Sequence, residues 1–111
     1  MFITEVSPQE LRTRLDQGDN VTVVDLRQPY EYQAGHIPGA INIFIQDIPT
    51  RLHELPRDTD IVFQCWHGVT SLDVAGFVIQ NGWPATSIAS LSEGMAGWVG
   101  TQGPESLETP S

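Results

Sequence analysis

Lysine is absent from all 111 residues, and the only fixed cations are Arg12, Arg14, Arg27, Arg51 and Arg57 against fourteen acids, a formal charge of −9. Schiff-base and lysine-nucleophile chemistry are therefore excluded. No basic stripe is present to displace counterions from phosphates or to meet an anionic membrane, so neither nucleic acid nor membrane is an expected partner. The acidic balance by itself reads as solubility. Cysteine occurs once, as Cys65. An intrachain disulfide and a two-cysteine redox motif are both ruled out. No apolar run approaches the length of a membrane span, and Met1-Phe2-Ile3-Thr4-Glu5 lacks the basic and apolar regions of a secretory leader. A soluble, cytoplasmic protein is expected.

What is present is one domain's worth of chain, long enough to remove roughly two-thirds of its unfolded surface from water. Hydrophobic residues make up 40%, enough for a packed core. Phe2 to Val6 reads as a short strand, and Ser7-Pro8-Gln9-Glu10 as a capping box with proline at the first helical position. Leu11 and Leu15 share a face of that helix, which Gly18 stops. Val21 to Leu26 and Ile61 to Gln64 are apolar runs of the kind buried on both sheet faces. Between them, Pro29 to Ala34 predicts a short helix, Ala40 to Ile43 a strand, and Ile45 to Leu52 one or two helical turns. Ser71 to Gln80 has helical spacing, with Phe77, Val78 and Ile79 read as core, and a strand around Thr86 to Ala89 follows. Met95 to Val99 closes the domain as a last helix, with Trp83 and Trp98 as core or lid aromatics. Residues 100–111 are rich in Gly, Pro, Ser, Thr and Glu and read as a C-terminal tail, flexible or loosely docked.

Alternation of strand and helix predicts an α/β fold, a mostly parallel twisted sheet of about five strands with helices on both faces and right-handed crossovers. Ligands in such sheets collect at the carboxyl ends of strands, where Asp25 and Cys65 stand. Cys65-Trp66-His67-Gly68-Val69-Thr70-Ser71 links a buried strand to a helix start. The macrodipole and unpaired amides there favour a thiolate. Gly68 lets the backbone curl round the sulfur, and the hydroxyl of Thr70 or Ser71 is available as a helix cap. Position alone leaves two readings open, because free cysteine is also among the most buried and inert residue types.

A resemblance adds to this. The stretch from Asp25-Leu26-Arg27 through Glu31-Tyr32 to Gly35-His36-Ile37-Pro38-Gly39-Ala40 resembles the signature of rhodanese-like domains, D-x-R-x-x-x-E-[YF]-x-x-G-H-I-x-G-A. The cysteine loop resembles that family's C-x-x-G-x-[RT]. Asn81-Gly82-Trp83 and Leu91 to Trp98 look like its closing segment. The resemblance implies a single rhodanese-like domain over residues 1–99, acting as a sulfurtransferase without metal or cofactor. By carry-over Cys65 is the nucleophile and holds a sulfane sulfur as a persulfide, and the N–H groups of Trp66, His67, Gly68, Val69, Thr70 and Ser71 cradle it. Thiosulfate or a persulfide would be the donor and a thiol or cyanide the acceptor.

Related phosphatases use C-x5-R, whereas the sixth position after Cys65 is Ser71, which disfavours phosphate chemistry. The loop also departs from relatives that carry arginine where Thr70 stands or cations where Trp66 and His67 stand. Thiosulfate approaching this protein gains little steering, apart from His67 when protonated. The alternative is a relay or docking module that carries sulfur for a partner protein with little small-molecule turnover. Asp25, Glu31 and His36 read as architectural near the site: Asp25 ends a strand, Glu31 is spaced to pair with Arg27, and His36 is placed to bond backbone in a tight turn. Arg27 is the exception, a substrate-binding candidate whose strand end shares the rim with Cys65. Cys65 and His67 with His36 or His53 match no zinc spacing.

Overall fold

The computed structural model describes residues 3–110. Its elements run β1 (Thr4–Val6), α1 (Pro8–Asp16), β2 (Val21–Asp25), α2 (Pro29–Ala34), β3 (Ile41–Asn42), α3 (Ile48–Arg51), β4 (Asp60–Gln64), α4 (Thr70–Gln80), β5 (Ile88–Leu91) and α5 (Gly94–Gln102). Short 3-10 turns flank α3 and follow α5. The five strands form one sheet in the order β1-β5-β4-β2-β3, and every pair is parallel. Phe2, expected in the first strand, lies outside the described residues.

Local chemistry accounts for most boundaries. Ser7 Oγ accepts the Glu10 N–H and the Glu10 carboxylate accepts the Ser7 N–H, so the expected capping box starts α1. Side chains alternate across the sheet. Val24, Ile61 and Phe63 face Val74, Ala75 and Val78 of α4, while Val23, Val62, Ala89 and Leu91 face Leu11 of α1 and Met95 and Trp98 of α5. Burial on both faces is what keeps the centres of these strands, Val23 and Val24 in β2 and Ile61 to Phe63 in β4, apolar.

Three expectations are corrected. The last strand is Ile88–Leu91 rather than Thr86 to Ala89, because its pairing with β1 and β4 sets its register. The expected strand from Ala40 to Ile43 narrows to Ile41–Asn42 at the sheet edge. Phe77 is not core: it is exposed on the outer face of α4, while Val78 beside it is buried. Of the two states expected of the tail, the structure has the docked one. Gly100 to Gln102 complete α5, Trp98 Nε1 donates to Ser106 Oγ (2.9 Å), and His36 and Glu108 exchange two backbone hydrogen bonds (2.9 Å each). A single apolar anchor, Leu107, packs over Gly35.

Candidate active site

The apolar run of β4 reaches the sheet's carboxyl edge, and Cys65 follows it at the floor of a loop, 7% exposed. Gly68 has φ +86°, a left-handed conformation that favours glycine, and a Cβ there would stand 2.8 Å from the Glu93 nitrogen. The loop curls so that Cys65 Sγ accepts the N–H of Gly68 at 3.2 Å and of Ser71 at 3.4 Å. Ser71 Oγ lies 3.3 Å from the sulfur; the thiol donates to it when protonated, and the hydroxyl can donate back to a thiolate. Ser71 Oγ in turn lies 2.7 Å from Ser90 Oγ, and both serines are fully buried. Burial pushes the Cys65 thiol up, but the hydroxyls of Ser71 and Thr70 and the N–H groups of Ser71 and Gly68 outweigh it and hold its pKa below that of an ordinary thiol. Neither hydroxyl caps α4: Val69 holds the cap position with no side-chain bond, leaving the Ser71 amide of the first turn to the sulfur.

The underside of the loop is pinned by α5. The Cys65 carbonyl accepts the Met95 N–H (2.8 Å) and Gln64 Nε2 (3.1 Å), and the Trp66 carbonyl accepts the Ala96 N–H (3.0 Å). Gly94, at φ +57°, makes this approach possible, since a Cβ there would strike the Cys65 carbonyl oxygen. With these carbonyls held away, the N–H groups of Trp66, His67, Val69 and Thr70 remain without an acceptor among the described residues.

The charged residues form a separate layer. Asp25 and Arg27 are buried and bonded to each other, with Nη2 at 2.7 Å and Nε at 3.0 Å from the carboxylate. Arg27 Nη2 also donates to the Gly35 carbonyl (2.7 Å), and its guanidinium lies 4.8 Å from the centre of the Trp66 ring. The expected pairing of Glu31 with Arg27 does not occur. Glu31 instead accepts Trp66 Nε1 at 2.6 Å and the Gln28 N–H at 3.0 Å, because Asp25 has already taken the guanidinium. His36 Nδ1 bonds the Tyr32 carbonyl (2.9 Å), the backbone contact its turn predicted, and its ring stacks on Tyr32. Neither His36 nor Asp25 bonds the sulfur or lines the cavity over it. Above Cys65 opens a cavity of about 350 Å³ whose wall includes Leu26, Arg27, Phe44, Ile45, Trp66, His67, Val69 and Thr70.

A sequence model described as "Rhodanese-like domain" matches residues 7–101. The chain belongs to that family. A protein named sulfurtransferase from Allochromatium vinosum is 31% identical to this rhodanese-like domain over 98 residues, 88% of this chain and 90% of that protein. The thiosulfate sulfurtransferase GlpE of Pseudoalteromonas translucida is likewise 31% identical over 98 residues, with coverage of 88% and 90%. The crystal structure of a rhodanese-like domain protein from Staphylococcus aureus matches with a TM-score of 0.82 at 29% identity, covering 98% of this chain and all of that one. The all-parallel sheet is thus the architecture of a rhodanese-like fold, and the relatives place the domain in a sulfurtransferase family.

Sequence reasoning did not find Ser90, Gln64, Phe44 or Gly94. Ser90 and Gln64 carried a signal, a polar residue inside an apolar strand, which in a buried sheet demands a partner. Phe44 gave none, because its approach to the cysteine loop is purely tertiary.

Proposed function

We propose that this rhodanese-like domain is a sulfurtransferase in which Cys65 alternates between thiolate and persulfide. In the loading step the thiolate attacks the sulfane sulfur of a donor, a persulfide R–S–SH or thiosulfate. The donor's S–S bond breaks, its electron pair leaves with the thiolate or sulfite, and Cys65 is left as Cys–S–SH. In the discharge step an acceptor thiolate or cyanide attacks that outer sulfur, and Cys65 departs as thiolate with no net oxidation. One observation carries this reading: a sulfur at the centre of inward-facing amides and a hydroxyl, with no fixed cation against it. Such preorganised dipoles stabilise an anion without cancelling its charge. The outer sulfur of a persulfide would meet the unbonded N–H groups of the loop, and Ser71, Thr70 and Gly68 act as its binding residues.

A second reading, a relay domain that takes sulfur from a partner protein, is favoured by the exposed apolar side chains beside the mouth, Trp66 and Val69. Intact-protein mass spectrometry tests both. Incubation with thiosulfate or an alkyl persulfide should add one sulfur to the wild type and none to Cys65→Ser, and cyanide or a thiol should remove it. Loading only from a persulfide-bearing protein selects the relay. Failure with every donor overturns the sulfurtransferase reading.

A further inference from the structure

The wall above Cys65 presents mostly carbon to the cavity. Leu26, Phe44, Ile45, Val69 and Trp66 contribute to it, and its volume of about 350 Å³ falls within the range of small-molecule pockets, roughly 300–1,000 Å³. The guanidinium of Arg27 at its edge is only 5% exposed, neutralised by Asp25 and covered by the indole of Trp66. Glu31 adds an acid to the same wall. The remaining arginines are engaged elsewhere: Arg12, Arg14 and Arg51 pair with acids, and Arg57 stacks on Trp83. An anionic ligand would therefore enter a largely apolar cleft of a protein of charge −9 and meet the Glu31 carboxylate with no free guanidinium beside it, His67 being the one other basic side chain in the wall.

Trp66 turns this from a deficiency into a fit. Its Nε1 donates to Glu31 and one ring face rests over Arg27, so the indole is held against that wall from two sides. Preorganised apolar surface of this kind favours a carbon-bodied ligand that displaces water from it. Val69 is 66% exposed and Trp66 44% exposed. Both would be covered when such a ligand points its sulfur at Cys65.

Building on the sulfurtransferase reading above, we propose that the cavity selects, as sulfur acceptor, a small thiol with an uncharged aryl or branched-alkyl body, and discriminates against thiols that carry a carboxylate. The acceptor thiolate attacks the outer sulfur of Cys65–S–SH, the S–S bond breaks, Cys65 leaves as thiolate, and the acceptor departs as R–S–SH.

The experiment uses the full chain, loaded with one sulfur from an alkyl persulfide and freed of excess donor. Loss of that sulfur is followed by intact mass with phenylmethanethiol or its 4-carboxylate, at equal thiolate concentration. The neutral thiol should discharge the protein at least about tenfold faster at low concentration, reflecting the cost of bringing an unpaired carboxylate into an apolar site. In Val69→Lys, whose exposed position tolerates the change, the new ammonium at the mouth should narrow that ratio several-fold. Equal rates with the two thiols in the wild type, or a ratio that Val69→Lys leaves unmoved, overturns the proposal while the sulfurtransferase reading stands. If no donor adds sulfur, the failure appears before any acceptor is mixed, and both readings fall together.

Discussion

Two groups suited to negative charge lie at the carboxyl edge of neighbouring strands, Asp25 ending β2 and Cys65 just beyond β4, and they are treated in opposite ways. Asp25 is fully buried and takes a bidentate guanidinium, so its charge is cancelled and its geometry locked. Cys65 receives only neutral N–H and O–H groups. A carboxylate held by a cation is architecture, whereas a sulfur held by dipoles keeps its electron pair available. The difference sorts the residues of catalytic type: Arg27 and Glu31 line the cavity over Cys65 but are bonded to Asp25 and Trp66, Asp25 and His36 are held in buried architecture, and the sulfur is left to neutral donors.

The comparison can be broken most severely at its architectural half. Arg27→Ala would strand the Asp25 carboxylate in the core and should cost about 3–5 kcal/mol, read from the denaturation midpoint. Replacing both Asp25 and Arg27 by leucine should cost much less, and an equal loss would show that the pair does more than neutralise itself. Next in size, Gly94→Ala should destabilise the fold by about 1–3 kcal/mol, from the left-handed backbone and the collision with the Cys65 carbonyl. It should also lower the rate of sulfur loading, because α5 no longer holds the loop's amides in place. A full loading rate in a destabilised Gly94→Ala protein would separate loop aim from fold stability.

The half built round the sulfur is probed more gently. Ser71→Ala removes a donor to the thiolate, a contact of the charged kind usually worth about 1.5–3 kcal/mol before relaxation. The pH profile of Cys65 alkylation should move to higher pH. Ser90→Ala should move it less, and not at all when Ser71 is already alanine. Because folding lowers the thiol's pKa, the thiolate contributes stability above the pH at which a free thiol ionises, and that contribution disappears as pH falls through the lowered value. The stability gap between wild type and Cys65→Ser should therefore widen towards alkaline pH in equilibrium unfolding. Smallest of all, added salt should raise thiosulfate loading a few-fold by screening the acidic surface. It should leave the buried Asp25–Arg27 pair untouched, and a fall in loading would remove charge repulsion as the explanation.

Much of the fold was legible because its signals are local: a capping box at Ser7, apolar runs at Val21 and Ile61, a proline opening α2. The boundaries that shifted, at β3 and β5, are those set by pairing with distant strands. Phe77 misled because an aromatic beside buried Val78 reads as core until the helix phase is known. The cysteine loop, with its tight turn at Gly68 between β4 and α4, could be read from spacing and resemblance. Ser90 reaches the sulfur only through Ser71, and Phe44 only across the cavity, so neither advertises itself in sequence. The seating of the tail was hidden by composition, since it depends on Leu107 and on two backbone bonds to His36.

Cys65 is the single thiol in these 111 residues, enclosed at the base of its loop. A peroxide that converts it to sulfenic acid would find no second thiol in the chain to trap the damage as a disulfide. Repair would have to come from outside through the cavity over Cys65, so a reductant able to rescue the protein under oxidative stress would have to pass the same apolar wall.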